Sequence, residues 1–376
     1  MLSWLVKQRL HTLRDYFVSL RKVNNKTQQA ESAGCLFVNE RRGLLMKVKK
    51  TLLRFTAASV VSMVAALSSA QAARIAIGPP ASETNSVSKV ILEAYGIKDY
   101  QPFQESFGNA ADLVQDGNID ISFGILGVPA GSIESLNAST GDVVMLGLSD
   151  EVIAKAEESS GYKSYNISKD AYGFLDADVP TIAAFAIMVA NNDTIDEELG
   201  YQLAKIMVEN AKEITHAQGA QLTLENALNA AEGLPIHPGA KRYYEEQGLK
   251  VEGPVAELKA KADKRKAEFT LGTGSQGGTY YPLGGEIANI WNKHSDGNFT
   301  NVETGASLEN LASIGRGRMD VGMTVHVPAL DSVNGTGQFN GRKVENVSFI
   351  GHVYPEGVQI VTRKSTGINS LADLAK

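Results

Sequence analysis

From residue 74 onward, short apolar runs alternate with segments whose apolar residues recur at helical spacing. Residues 74–77 read as a strand. In residues 86–95, Val87, Val90, Ile91, Ala94 and Tyr95 fall at i, i+3, i+4, i+7 and i+8, which predicts a helix with one buried stripe that Gly96 stops. Residues 181–190 form an apolar run expected as a strand. Residues 201–214 place Leu203, Ile206, Met207 and Ala211 on one helical side. Such alternation predicts α/β layers around a largely parallel sheet.

The pattern repeats with an offset of 200 residues. Residues 113–121 and 313–321 both read as helix, glycine stop, then strand, with Gly117 and Asp120 matched by Gly317 and Asp320. Upstream of each, residues 77–80 and 271–274 end a strand and open a helix. Two lobes with equivalent strand-loop-helix units follow, their facing loops making a cleft. Between the copies, residues 250–268 are dominated by Lys and Glu with a Gly-Pro at 253–254, expected as a solvated helix or linker.

Charge divides the chain. The 376 residues carry a formal charge of −6, but residues 1–73 hold 12 Lys or Arg and three acids, which leaves −15 for residues 74–376. An acidic body without a basic stripe would repel a phosphate backbone, so nucleic acid is not the expected ligand. The single cysteine, Cys35, lies in the basic leader, so the body forms no disulfide and uses no thiol. From Met46 a charged stretch, an apolar run over 55–67 and Ala70-Gln71-Ala72 make a signal peptide at 46–72, with cleavage expected near Ala72 and export to the periplasm. The apolar run is too short to cross a bilayer. Residues 1–45 precede a complete signal and read as an upstream extension, Met46 being the expected start.

Several motifs carry a resemblance. Residues 269–290 open Phe-Thr-Leu-Gly-Thr-Gly-Ser-Gln-Gly-Gly-Thr-Tyr-Tyr-Pro. With Glu303-Thr-Gly-Ala-Ser-Leu-Glu-Asn-Leu, Ile77-Gly-Pro-Pro-Ala-Ser-Glu-Thr-Asn, Gly127-Val-Pro and Pro235-Ile-His-Pro-Gly-Ala-Lys-Arg-Tyr-Tyr, this run resembles the TAXI-type substrate-binding proteins of tripartite ATP-independent periplasmic (TRAP) transporters. The resemblance implies a two-lobed, type II periplasmic-binding-protein-like α/β fold that closes on a solute by a hinge, and a membrane-embedded TRAP permease as partner.

The order of segments departs from that family, in which the Gly-Thr-Gly segment comes first and the His-Pro-Gly-Ala segment last. The chain is therefore expected to be circularly permuted, its old ends joined through residues 250–267. An error of gene assembly or a piece of a tandem array would produce the same order. One lobe is expected to comprise 74–187 with 365–376, the other 188–249 with 268–364. The new ends, Arg74 and Lys376, are expected on the same lobe about 10 Å apart. Residues 186–190 and 361–365 are the hinge candidates.

Gly-rich turns that lead into helices offer unpaired N–H groups to an anion. On that ground, and as the resemblance implies, the expected ligand contacts are Thr273, Ser275, Gly277, Thr279, Tyr280, Ser307 and Thr324 from one lobe. From the other they are Ser82, Glu83, Thr84 and Val128. The loops contain no arginine for a bidentate clamp, and Arg316 and Arg318 read as flanking a solvated helix end. The ligand class is a small organic acid or an amino acid, with no cofactor, no metal and no catalytic residue. A ligand-sensing module of the same fold is the alternative. A nicotinamide enzyme is the remote one, because Gly272, Gly274 and Gly277 fit a dinucleotide fingerprint but Asp296 sits in a turn rather than at a strand end. His237, within a Pro-His-Pro-type turn, reads as structural, and His326 and His352 show no metal spacing.

Overall fold

The structure, a computed structural model, describes residues 72–375. The expected signal peptide as far as Gln71, the upstream extension with Cys35, and Lys376 lie outside the described residues.

The first lobe opens with β1 (Ala73–Ala76), α1 (Glu83–Ala94), β2 (Tyr100–Phe103), α2 (Phe107–Gln115), β3 (Ile121–Leu126), α3 (Gly131–Thr140), β4 (Val143–Met145), α4 (Asp150–Ser160) and β5 (Lys163–Ile167). Helix α1 starts where Ser82 accepts the N–H of Asn85, buries Val87, Ile91 and Leu92, and is followed by Gly96 at φ +73°. That stripe packs on Ile75, Ile77 and Phe123 in one core. Fully burying each such side chain contributes about 2 kcal/mol.

Strand β6 (Val179–Asn191) leads to α5 (Glu197–Glu209) and α6 (Pro238–Glu246) in the second lobe. There follow β7 (Glu268–Gly272), α7 (Tyr280–His294), β8 (Asn298–Val302), α8 (Ser307–Gly315), β9 (Val321–Val325), α9 (His326–Asn334) and β10 (Val347–Arg363). Its core gathers Leu203 and Met207 of α5, Tyr243 of α6 and Ile287 and Trp291 of α7. The Trp291 indole donates to the Leu203 carbonyl at 3.1 Å.

The strands run β2-β1-β3-β10-β6-β9-β7-β8, with β4 on β10 and β5 on β6. Each outer block of three is parallel, but β6 and β10 are antiparallel to all their partners, so the sheet is mixed rather than largely parallel. The reason is connectivity: these two long strands carry the chain from lobe to lobe in opposite directions. Residues 357–362 of β10 pair with β3, while residues 347–357 pair with β6, whose 186–190 pair with β9. The crossing on β10 thus falls near Tyr354 and Gly357. Residues 361–365 are not the hinge, since Val361 already pairs with Ser122 of β3 and Met145 of β4. Residues 186–190 begin at the crossing on β6.

The 200-residue repeat is matched in its glycine turn and in one backbone bond. After α2 and α8, Gly117 and Gly317 turn left-handed at φ +71° and +67°. Asp120 then accepts the N–H of Arg74, and Asp320 that of Thr270, at 2.8 Å in both. Each aspartate ties the turn before one strand, β3 or β9, to the neighbouring parallel strand, β1 or β7.

Of the two expected forms, helix or linker, residues 250–268 take the linker; only Ala262–Lys264 make a 3-10 turn. Gly253 at φ +119° and Pro254 break the periodicity, and the backbone bonds go sideways instead. Ala256 donates to Ile236, and Lys259 and Ala260 donate to the Asn192 carbonyl. Arg265 grips Asp196 with two bonds of 2.6 Å. The segment is an extended, mostly exposed strap on the second lobe. Leu371, near the described C-terminal end, lies in the same core as Ile75.

Candidate functional site

Three helix N-termini meet where the lobes face each other, around a cleft enclosing about 410 Å³ counted to its open mouth. Ser82, Glu83 and Thr84 of the α1 turn line one side. Ser275, Thr279 and Tyr280 before and at the start of α7, and Ser307 at the start of α8, line the other.

The helices differ in how their first N–H groups are satisfied. α1 is capped by its own Ser82. The N-cap residues of α7 and α8, Thr279 and Ala306, make no side-chain cap bond. Thr279 turns its hydroxyl across the cleft to accept the Gly127 N–H at 3.0 Å, and Ser307 accepts the Val325 N–H at 3.0 Å. Two helix ends thus present free amides and partial positive charge to the cleft. Beside them the Ser275 hydroxyl is buried without a hydrogen-bond partner.

Carboxyl groups form the opposite pole. Glu83 is 9% exposed, and Tyr162 donates to it at 3.2 Å. Burial pushes its carboxyl up to about 7, against the lowering effect of Tyr162, and the charge of Asp331 raises it further. Glu356 enters from the β10 crossing, 2% exposed, accepting the phenols of Tyr354 at 2.7 Å and Tyr280 at 3.0 Å. Burial pushes it up to about 8, opposed by those phenols and reinforced by the Glu83 charge. The phenols of Tyr280 and Tyr354 are themselves pushed well above the usual range, first by burial and then by Glu356. No Lys, Arg or His lines this cleft among the described residues.

Of the residues expected from sequence, Ser82, Glu83, Thr84, Ser275, Thr279, Tyr280 and Ser307 meet here, and four do not line the cleft. Thr273 is fully buried beneath it, its hydroxyl within 2.8 Å of Asn301 Oδ1. Thr324 is buried within β9, where its hydroxyl donates to the Val325 carbonyl. Val128, in a cis peptide with Pro129, offers its carbonyl to Gln218 at 3.0 Å. Gly277, at φ +83°, brings the two lobes together: a Cβ there would stand 2.6 Å from the Gly108 nitrogen. Its glycine is explained by that approach rather than by a phosphate. Asp296 bonds Gln202 on the surface.

Glu356 and Tyr354 are the residues that sequence reasoning missed. Their one signal was an acid after proline inside an otherwise apolar strand.

His237 is fully buried and caps α6, Nδ1 accepting from Gly239 and Nε2 bonding the Ile195 carbonyl at 3.1 Å; burial lowers it to about 4. Among the described residues no cluster of His, Cys, Asp and Glu could hold a metal ion, and no helix is long and apolar enough to cross a membrane.

Two α/β lobes joined by paired crossing strands, with helix N-termini turned into the cleft between them, define a two-lobed, type II periplasmic-binding-protein-like fold. The chain belongs to the NMT1-like family, which it matches over residues 42–248 and 271–376. Solved structures that it resembles include a phosphate-binding protein of a phosphate ABC transporter from Streptococcus pneumoniae. The identity is 13%, with a TM-score of 0.35, covering 81% of this chain and 94% of that one. PhnD1 from Prochlorococcus marinus, solved with methylphosphonate, is 8% identical with a TM-score of 0.38, covering 81% of this chain and 82% of that one. Full-length OxyR from Pseudomonas aeruginosa is 12% identical with a TM-score of 0.39, covering 96% and 83%.

Proposed function

We propose that the protein is a periplasmic solute receptor of the TAXI type, which binds an amino acid or small organic acid between its lobes and delivers it to a TRAP permease. The observation that carries this reading is the polarity of the cleft. Uncapped helix ends at Thr279 and Ala306 and the unpartnered Ser275 hydroxyl suit a carboxylate. Glu83 and Glu356 suit an ammonium or a hydroxyl. A phosphate dianion would find no lysine, arginine or histidine in the lining to offset its charge.

Permutation belongs to the same proposal, with the lobe boundary on β10 corrected from 364/365 to the crossing near Tyr354 and Gly357, since residues 357–363 pair with β3 and β4 of the first lobe. It is supported by Leu371 sharing a core with Ile75 and by a family match that breaks at the strap. Joining Lys376 to Arg74 and opening the chain within 250–267 should then leave the melting behaviour unchanged.

The test of function is thermal unfolding with a panel of amino acids, dicarboxylates, oxoacids, inorganic phosphate, methylphosphonate and NAD. A ligand at 100 times its Kd adds about 2.7 kcal/mol, a shift of several degrees for a chain this size. The expected result is a rise with one carboxylate. A rise with phosphate, methylphosphonate or NAD alone would overturn the reading.

A further inference from the structure

Seven arginines lie among the described residues, and they divide cleanly. Arg74, Arg242, Arg265 and Arg363 each hold an aspartate or glutamate. Arg316, Arg318 and Arg342 hold none, and all three line one groove, together with the equally unpaired Lys343. The groove encloses about 1590 Å³ to its open mouth. The four cations are exposed, and they come from two separate segments, the turn after α8 and the stretch before β10.

Arg316 alone could be explained by the negative end of α8, where it is the C-cap residue. Arg342 and Lys343, on another segment, have no such explanation. The structural repeat sharpens the contrast: where the second lobe has Arg316 and Arg318, the first has Asp116 and Asn118. The groove's one carboxylate, Glu309, is turned to the Gly305 N–H at 2.8 Å.

The apolar part of the groove comes from Leu308, half-buried Phe339 and buried Val344. Pro80 and Ala81, which lead into the cleft residue Ser82, form the wall belonging to the first lobe. At that boundary Gln338 donates to Ser86 of α1 at 3.1 Å. The distance between the lobes therefore sets the width of this groove as well as of the cleft.

We infer that this groove is a docking surface for an acidic protein segment, whose carboxylates pair with the three unpaired guanidinium groups while an apolar side chain sits against Phe339. Guanidinium groups favour carboxylates through paired parallel bonds. A concave site with an apolar floor fits a chain segment, whereas a bilayer surface asks for a flat or convex basic face. The inference rests on the receptor reading only for where such a partner is found, in a protein that accepts the solute.

The experiment measures binding of a fluorescent peptide of alternating glutamate and leucine to the full chain at low salt, without solute, and separately of vesicles containing phosphatidylglycerol. Controls are the glutamine version of the peptide and the triple variant R316E/R318E/R342E, its fold checked by its melt. The expected result is binding of the acidic peptide alone, weakened at least tenfold in the variant and by added salt. Equal binding by the variant, binding of the glutamine peptide as well, binding of vesicles but not peptide, or binding of neither would overturn the proposal. Because no solute enters this measurement, a failed solute screen leaves its outcome readable.

Discussion

The two lobes repeat one plan, strand, helix, strand, helix, strand, yet they offer opposite things to the cleft. In the first lobe α1 satisfies its own N-terminus through Ser82 and adds the Glu83 carboxyl. In the second lobe α7 and α8 leave their N-termini without a side-chain cap and add hydroxyls. The same local fold thus becomes a negative or a positive pole according to which residue occupies the cap and the first turn. A duplicated frame can recognise a ligand with two unlike ends because its two copies need not be charged alike.

The contrast extends to the aspartates that close each repeat, and the largest expected effect lies there. The Asp320 side chain is 4% exposed and holds Lys266, while the Asp120 side chain is 22% exposed and holds Arg74. Asp320 also accepts the hydroxyl and N–H of Thr270. Asp320→Ala is expected to destabilise by about 3 kcal/mol in urea unfolding and Asp120→Ala by about 2, since Asp320 is the more deeply buried carboxylate and its removal leaves both the N–H and the hydroxyl of Thr270 without their acceptor. Equal losses would mean that burial does not distinguish the two copies. Burial alone would raise the Asp120 carboxyl, but the bonds from Arg74 hold it below the usual range, so its contribution is present at neutral pH and lost only on acidification.

The carboxyls of the cleft behave in the opposite sense. Glu83 near 7 and Glu356 near 8 keep protons that the unfolded chain releases near 4.5, so their contribution falls as pH rises. His237, His326 and His352, lowered by burial to about 4, have the reverse slope, which is halved at their ordinary value of 6.5 and fades above it. Between pH 6.5 and 8 the loss from the two carboxyls outweighs the remaining gain from the histidines, and the solute-free protein is expected to lose roughly 1–2 kcal/mol of stability. Glu356→Gln should flatten that slope when melts are recorded across the window. An unchanged slope would remove Glu356 from the negative pole.

The smallest effect tests the bond that joins the poles. Thr279→Val removes the acceptor for the buried Gly127 N–H and should cost about 1 kcal/mol, with solute-free small-angle scattering showing a more open molecule. Destabilisation without opening would make that bond a support of the second lobe alone.

Much of this plan was legible because it is written in local chemistry. Gly117 and Gly317 announce a left-handed turn, and Ser82 announces a helix start, whatever the rest of the chain does. The α7 loop was legible for the same reason, although Gly277 and Thr273 serve the packing around the cleft instead of lining it. Glu356 was not legible, because its role depends on Tyr280, 76 residues away, and on the point where β10 changes lobe. The charges of the strap left helix and linker equally open; the bonds that hold it to Asn192 and Asp196 are long-range and leave no periodic trace.

The path of β10 between β3 and β6 has a consequence for proteolysis. The strap is mostly exposed and carries Lys259, Lys261 and Lys264, so trypsin has ready targets there. A cut at that point divides the chain into one fragment carrying β1 to β6 and another carrying β7 to β10. The second fragment's last strand is threaded between two strands of the first, and its β9 lies along β6. The nicked molecule would run as two bands in denaturant and as one particle without it, because the severed pieces are interleaved rather than laid side by side.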